Sequence, residues 1–153
     1  MEYHFFIEGH PEPQARPRFS LRHGYLRVHD KKESKSFKDR VYATAQKAFM
    51  EGGQVMLNGA LTMELTVYRE YPSSWSRIKG ELAMKGKIMP DTKPDLDNYI
   101  KIALDGIGMK DYPKIIFNND AQIVQIIAKK RYVRLIRVEG MDIRIREYVD
   151  NEM

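Results

Sequence analysis

The chain has 153 residues, 42% of them hydrophobic, which suffices for the core of one compact domain. It contains no cysteine, which excludes disulfides, thiolate zinc sites and cysteine nucleophiles. A formal charge of +5 and a pI near 9.3 favour polyanionic partners without selecting among them, because many proteins are mildly basic.

Tyr3, Phe5 and Ile7 alternate with Glu2, His4 and Phe6, a short strand that closes at Gly9 and Pro11. These first residues carry Glu2, His4 and Glu8 where a signal peptide would be apolar. No later stretch is long and apolar enough to span a membrane, so a cytoplasmic protein is expected. From Pro11 to Asp30 runs a basic, proline-punctuated loop or hairpin bearing Arg16, Arg18, Arg22 and Arg27. A helix is expected to start between Lys31 and Ser36, with Phe37, Val41, Ala45 and Ala48 as its apolar stripe, and to end at Gly52 and Gly53. Leu61, Met63, Leu65 and Val67 alternate with Thr62, Glu64 and Thr66 as a second strand. Between Tyr71 and Thr92, with Trp75, Lys85 and Lys87, the pattern suggests a short amphipathic helix and a loop.

The segment Lys93-Pro94-Asp95-Leu96-Asp97-Asn98-Tyr99-Ile100-Lys101 is the most informative of the chain. Pro94 biases Lys93 toward an extended backbone, on which Asp95 and Asp97, spaced i, i+2, would point to one side. Asp97 and Asn98 suit a helix start, and Ile100, Ala103, Leu104 and Ile107 give that helix an apolar face. Asp97, Lys101, Asp105 and Gly108 lie along another face. An acid pair at a helix entrance with a lysine one turn above is a plausible cage for a hard divalent cation beside a phosphate. Each residue also has an ordinary use. Helix-entrance Asp residues cap helices, and i, i+4 charges form surface ion pairs. Density favours the cage, because repulsion between Asp95 and Asp97 costs stability unless a cation relieves it. Downstream, Ala121 to Ala128 is apolar and β-branched enough for a central strand, and Met141, Ile143 and Ile145 mark a final strand with one wet face. The expected architecture is α+β, one mixed sheet covered by two main helices.

The string KPDLDNYIKIALDGI, followed by NNDAQIV, resembles the RusA family of Holliday junction resolvases, and the N-terminal FFIEGHPEPQARPRFS is similar to its phage-type members. The resemblance implies a small, dimeric, metal-dependent endonuclease that cuts four-way DNA junctions. Its motif falls on Asp95, Asp97, Asn98, Lys101, Asp105 and Asp120, while Asn119 stands where many members carry an acid. Asp95, Asp97 and Asp120 are then the expected ligands of Mg²⁺, with Mn²⁺ substituting, because hydrolysis of a phosphodiester needs an activated water and neutralised phosphate charge. Lys101 would stabilise the transition state, orient the phosphate or hold a carboxylate. Asp105 is either an outer ligand or the partner of Lys101, and Asn98 is a further outer candidate. Arg16, Arg18, Lys93, Lys129 and Lys130 are the expected DNA contacts, although a solvated strand end explains the last two equally well. His4, His10, His23 and His29 have no metal-ligand spacing, and a lone Trp75 is more often a packing residue than a base-stacking one. Two rivals remain: a catalytically silent DNA-binding module of the same fold, and a metal phosphohydrolase acting on small phosphoesters.

Overall fold

The computed structural model describes residues 1–15, 18–22, 24–29, 32–134 and 139–150, without the side chains of 18–20, 22 and 25–29. Among these residues, six strands and three helices follow in order: β1 Glu2–Glu8, β2 Arg18–Arg22, β3 Tyr25–His29, α1 Lys32–Glu51, β4 Leu61–Glu70, α2 Arg77–Met84, α3 Leu96–Ile107, β5 Ile123–Val133 and β6 Gly140–Glu147. A single 3₁₀ turn, Asp120–Gln122, precedes β5. The basic segment after β1 is a hairpin, β2 against β3.

Four strands form one mixed sheet in the order β1-β6-β4-β5. Strand β6 runs antiparallel to both β1 and β4, whereas β5 runs parallel to β4. Alternation decides the faces. Tyr3, Phe5 and Ile7, then Leu61, Met63, Leu65 and Val67, then Met141, Ile143 and Ile145 are all buried in one core with Phe37, Val41 and Ala45 of α1 and Tyr99, Ile102 and Ala103 of α3. Gly106 lets the two helices approach, since a Cβ there would lie 2.6 Å from the Cβ of Val41. The opposite face of the sheet is wet and paired: His4 meets Asp142 at 2.6 Å, and Arg144 lies between Glu2 at 3.6 Å and Glu64 at 3.9 Å. Its charge is therefore largely neutralised internally. Among the described residues, no helix is long and apolar enough to cross a membrane.

One strand departs from expectation. The stretch read as central lies at the sheet edge, with Val124, Ile126 and Ile127 exposed. Antiparallel β6 takes the interior place beside β4 instead. Apolar, β-branched composition reports that a strand suits burial; it does not report what buries it.

Candidate active site at the motif helix

Helix α3 begins at Leu96, with Asp95 as its N-cap at φ −71° and ψ 145° and no side-chain capping bond. Asp97 stands in the first helical turn and Asn98 follows it inside the helix. This corrects the expected geometry: the two carboxylates do not share an extended backbone, and neither Asp97 nor Asn98 is the cap. The helix dipole now works on both acids, since each sits at the positive end of α3. Residues 92–94 form a bend and not a strand end, and the Lys93–Pro94 peptide is cis. Lys93 reaches back to Asp95, Nζ to Oδ2 3.0 Å, with both side chains exposed.

Asp97 and Lys101 are exposed, and Asp105 is half-buried. Among the described residues, Lys101 forms no ion pair with Asp97 or Asp105, although helical spacing permits both. Asp105 faces another acid instead. The carboxyl of Asp120 is pushed above its ordinary pKa by partial desolvation and then by the nearby charge of Asp105, with Lys114 opposing. These two acids line a cavity of ≈ 830 Å³ together with Lys35 and Lys38 of α1, Gly108 and Lys110.

The placement of Asp120 is local. Asn119 accepts a hydrogen bond from the Ala121 N–H at 2.8 Å and forms a capping box with Gln122. Gln122 then ties the turn to the loop before β4, donating to the carbonyls of Leu57 and Gly59 at 3.1 Å each. The departure at Asn119 is thus a cap for the turn that presents Asp120. Sequence spacing had not singled out Gln122, although Asn-x-x-Gln ahead of an apolar strand is a capping-box signature.

The four motif carboxylates form two pairs at opposite ends of α3. Asp97 and Asp105 are eight residues apart, which is about 12 Å along a helix. Among the described residues, no three His, Cys, Asp or Glu side chains converge on one point. The donors nevertheless fit a magnesium-like ion. They are hard carboxylate oxygens, and such an ion is commonly held by one or two carboxylates with water and substrate phosphate completing its shell.

The expected DNA contacts fare differently from one another. Arg16 and the side chain of Arg18 lie outside the described residues. Lys129 is exposed on the wet face, bordering Glu64 and Asp142. Lys130 points the other way and donates to the carbonyls of Thr92 at 2.9 Å and Pro94 at 3.0 Å. Arg131 donates to the Met84 carbonyl at 3.2 Å, at the end of α2. Trp75 packs against Tyr71 and Tyr132, with the Lys79 ammonium 4.1 Å from its ring centre, so packing accounts for it. His10 is bonded to the buried Glu139 at 2.7 Å.

A family model described as endodeoxyribonuclease RusA matches residues 8–145. The chain is also 38% identical over 140 residues to the uncharacterized protein YqaN of Bacillus subtilis strain 168, a match spanning 90% of this chain and 92% of that protein.

Proposed function

Because the chain belongs to the RusA endodeoxyribonuclease family, we propose that it is a Mg²⁺-dependent endonuclease that resolves four-way DNA junctions as a homodimer. The observation that carries this reading is the entrance of α3 within the matched segment. There Asp95 and Asp97 stand at the positive end of the helix dipole, and Lys101, one turn on, has no ion-pair partner among the described residues.

Asp95 and Asp97 would hold the cation, with Mn²⁺ substituting for Mg²⁺, whereas Asp120, paired with Asp105 at the other end of α3, would not reach the same ion within one chain. When bound, the metal supplies a water of lowered pKa and offsets charge on the nonbridging oxygens of the phosphate. Lys101 presents an ammonium on the same helix face as Asp97, where it meets the negative charge that builds on the phosphate. Asn98, half-buried behind the pair, positions the backbone, since its carbonyl accepts from the Gln14 N–H at 3.0 Å. Arg16, Arg18, Lys93 and Lys129 supply phosphate contacts, which fix the duplex arms without reading sequence.

The homodimer follows from the substrate, because two strands related by a two-fold call for two sites related in the same way. The edge position of β5 supports it: among the described residues, Val124, Ile126 and Ile127 are exposed beside a strand edge with no further strand paired to it, a surface that another strand readily covers. The test is incubation with a synthetic four-way junction, a linear duplex and a small phosphoester, each with Mg²⁺. Paired nicks in the junction alone are expected. Turnover of the phosphoester without junction cutting would replace the reading with a phosphohydrolase, and tight junction binding without cutting would replace it with a silent binding module.

A further inference from the structure

Three consecutive carbonyls just before Asp95 are gripped from two neighbouring strands. Lys130 of β5 donates from Nζ to the carbonyls of Thr92, at 2.9 Å, and Pro94, at 3.0 Å. Arg69 of β4 donates from Nη1 to the carbonyl of Lys93 between them, at 3.1 Å. The register explains how they meet. Lys130 stands opposite Val67 and Tyr132 opposite Arg69, so both cations project from the core-side face of adjacent parallel strands, one strand repeat apart.

Beyond these ties, the Asn98 N–H donates to the Asp95 carbonyl at 3.2 Å and the Gln14 N–H to the Asn98 carbonyl at 3.0 Å. Asp95 makes no side-chain capping bond, and among the described residues its carboxylate pairs with the exposed Lys93. The direction of the Asp95 side chain is therefore set by its backbone, and the backbone leading into it is held by the two cations. A charged donor bonded to a carbonyl forms a stronger and more directional tie than a neutral one. Lys130 also spends its ammonium on these carbonyls, so it is not offered to a phosphate.

We propose that Lys130, seconded by Arg69, is a positioning residue that holds the Asp95–Asp97 entrance in its cation-binding geometry. This rests on the reading of that entrance as the metal site. It assigns Lys130 an internal role in place of a DNA contact.

Two measurements on the full chain test it. In the metal-free protein, Lys130→Met keeps the apolar stem and removes the donor, so exchange of the first hydrogen-bonded amides of α3, residues 98–101, should quicken roughly ten- to hundredfold, the size expected for lost charged hydrogen bonds, with Lys130→Arg restoring part of the protection. With a four-way junction, half-saturating Mg²⁺ should rise about ten- to hundredfold in the Met variant, as for other groups that orient metal ligands, while junction affinity and its salt slope stay unchanged. Unchanged exchange at 98–101 would overturn the proposal. So would a salt slope shallower by about one unit with unaltered Mg²⁺ demand, which would return Lys130 to the phosphate contacts. A wild-type protein that cuts no junction would overturn the nuclease reading instead, and the exchange result would still decide the role of Lys130.

Discussion

The two ends of α3 carry the same chemistry in opposite settings. At the entrance, Asp95 and Asp97 are exposed, lie in the helix dipole and are placed by ties from residues far away in the chain, Arg69 and Lys130. At the exit, the half-buried Asp105 and the exposed Asp120 repel one another beside a cavity, and Asp120 is placed by its own neighbours Asn119 and Gln122. A carboxylate can thus be readied for a cation in two ways. One is to present it freely in a fixed direction; the other is to hold it at an electrostatic cost that a cation would relieve.

If the entrance is the reactive end, the largest effect belongs there. Asp97→Asn should lower single-turnover cleavage by at least about two to three orders of magnitude, because a metal's charge stabilisation amounts to several kcal/mol and each 1.36 kcal/mol is about tenfold. Gel-shift affinity for the junction should persist, since phosphate contacts remain. Full cutting by this variant would move the chemistry away from the entrance.

Lys101 sharpens the same contrast. As an unpaired surface lysine it would contribute almost nothing; as a group meeting charge on the phosphate, its loss in Lys101→Ala should cost on the order of 10²–10³ in rate. Lys101→Arg should rescue only in part, because the charge survives and the compact geometry does not. Cleavage rates with thermal melts as controls separate the two cases.

Away from both ends, replacing Arg16 and Arg18 with Ala should weaken junction binding and shallow the slope of log K against log salt by roughly two units. An unchanged slope would give these two arginines a structural role.

The folded-state pKa of Asp120 is raised, so its ionised form costs stability. That cost is absent below the ordinary carboxylate pKa and grows as pH rises through the raised value. Metal-free Asp120→Asn should therefore melt above wild type at neutral pH, by roughly 1–3 °C after discounting for solvent screening, with the gap closing in acid. Calorimetry at both pH values checks the sign. Smallest of all, Tyr99→Phe should shift melting by only about 2 °C or less, because the buried Tyr99 hydroxyl has no hydrogen-bond partner among the described residues to lose.

Strands and helices that bury one face could be read directly from their periods: β1, α1, β4, α3 and β6 fall where alternation and apolar stripes place them. So could the motif, because its residue types carry their own chemistry. Contacts that close through space were not legible. No spacing announces that Lys130 turns inward to carbonyls more than thirty residues earlier, or that Asp105 answers to Asp120 and not to Lys101. The edge position of β5 was hidden for a related reason. Ile126 and Ile127 are as apolar as core residues, and only the insertion of β6 beside β4 decides which strand is left outside.

On the proposed reading, carboxylate oxygens of this chain hold the cation that cuts the junction. This is tested most directly by single-turnover cleavage of a four-way junction by the wild-type protein in EDTA, followed by addition of Mg²⁺, Mn²⁺ or Ca²⁺. An oxygen-only ligand set predicts no cutting in EDTA, recovery with Mg²⁺ or Mn²⁺, and little turnover with Ca²⁺, whose larger and looser shell aligns the phosphate poorly. Undiminished cutting in EDTA would contradict the account.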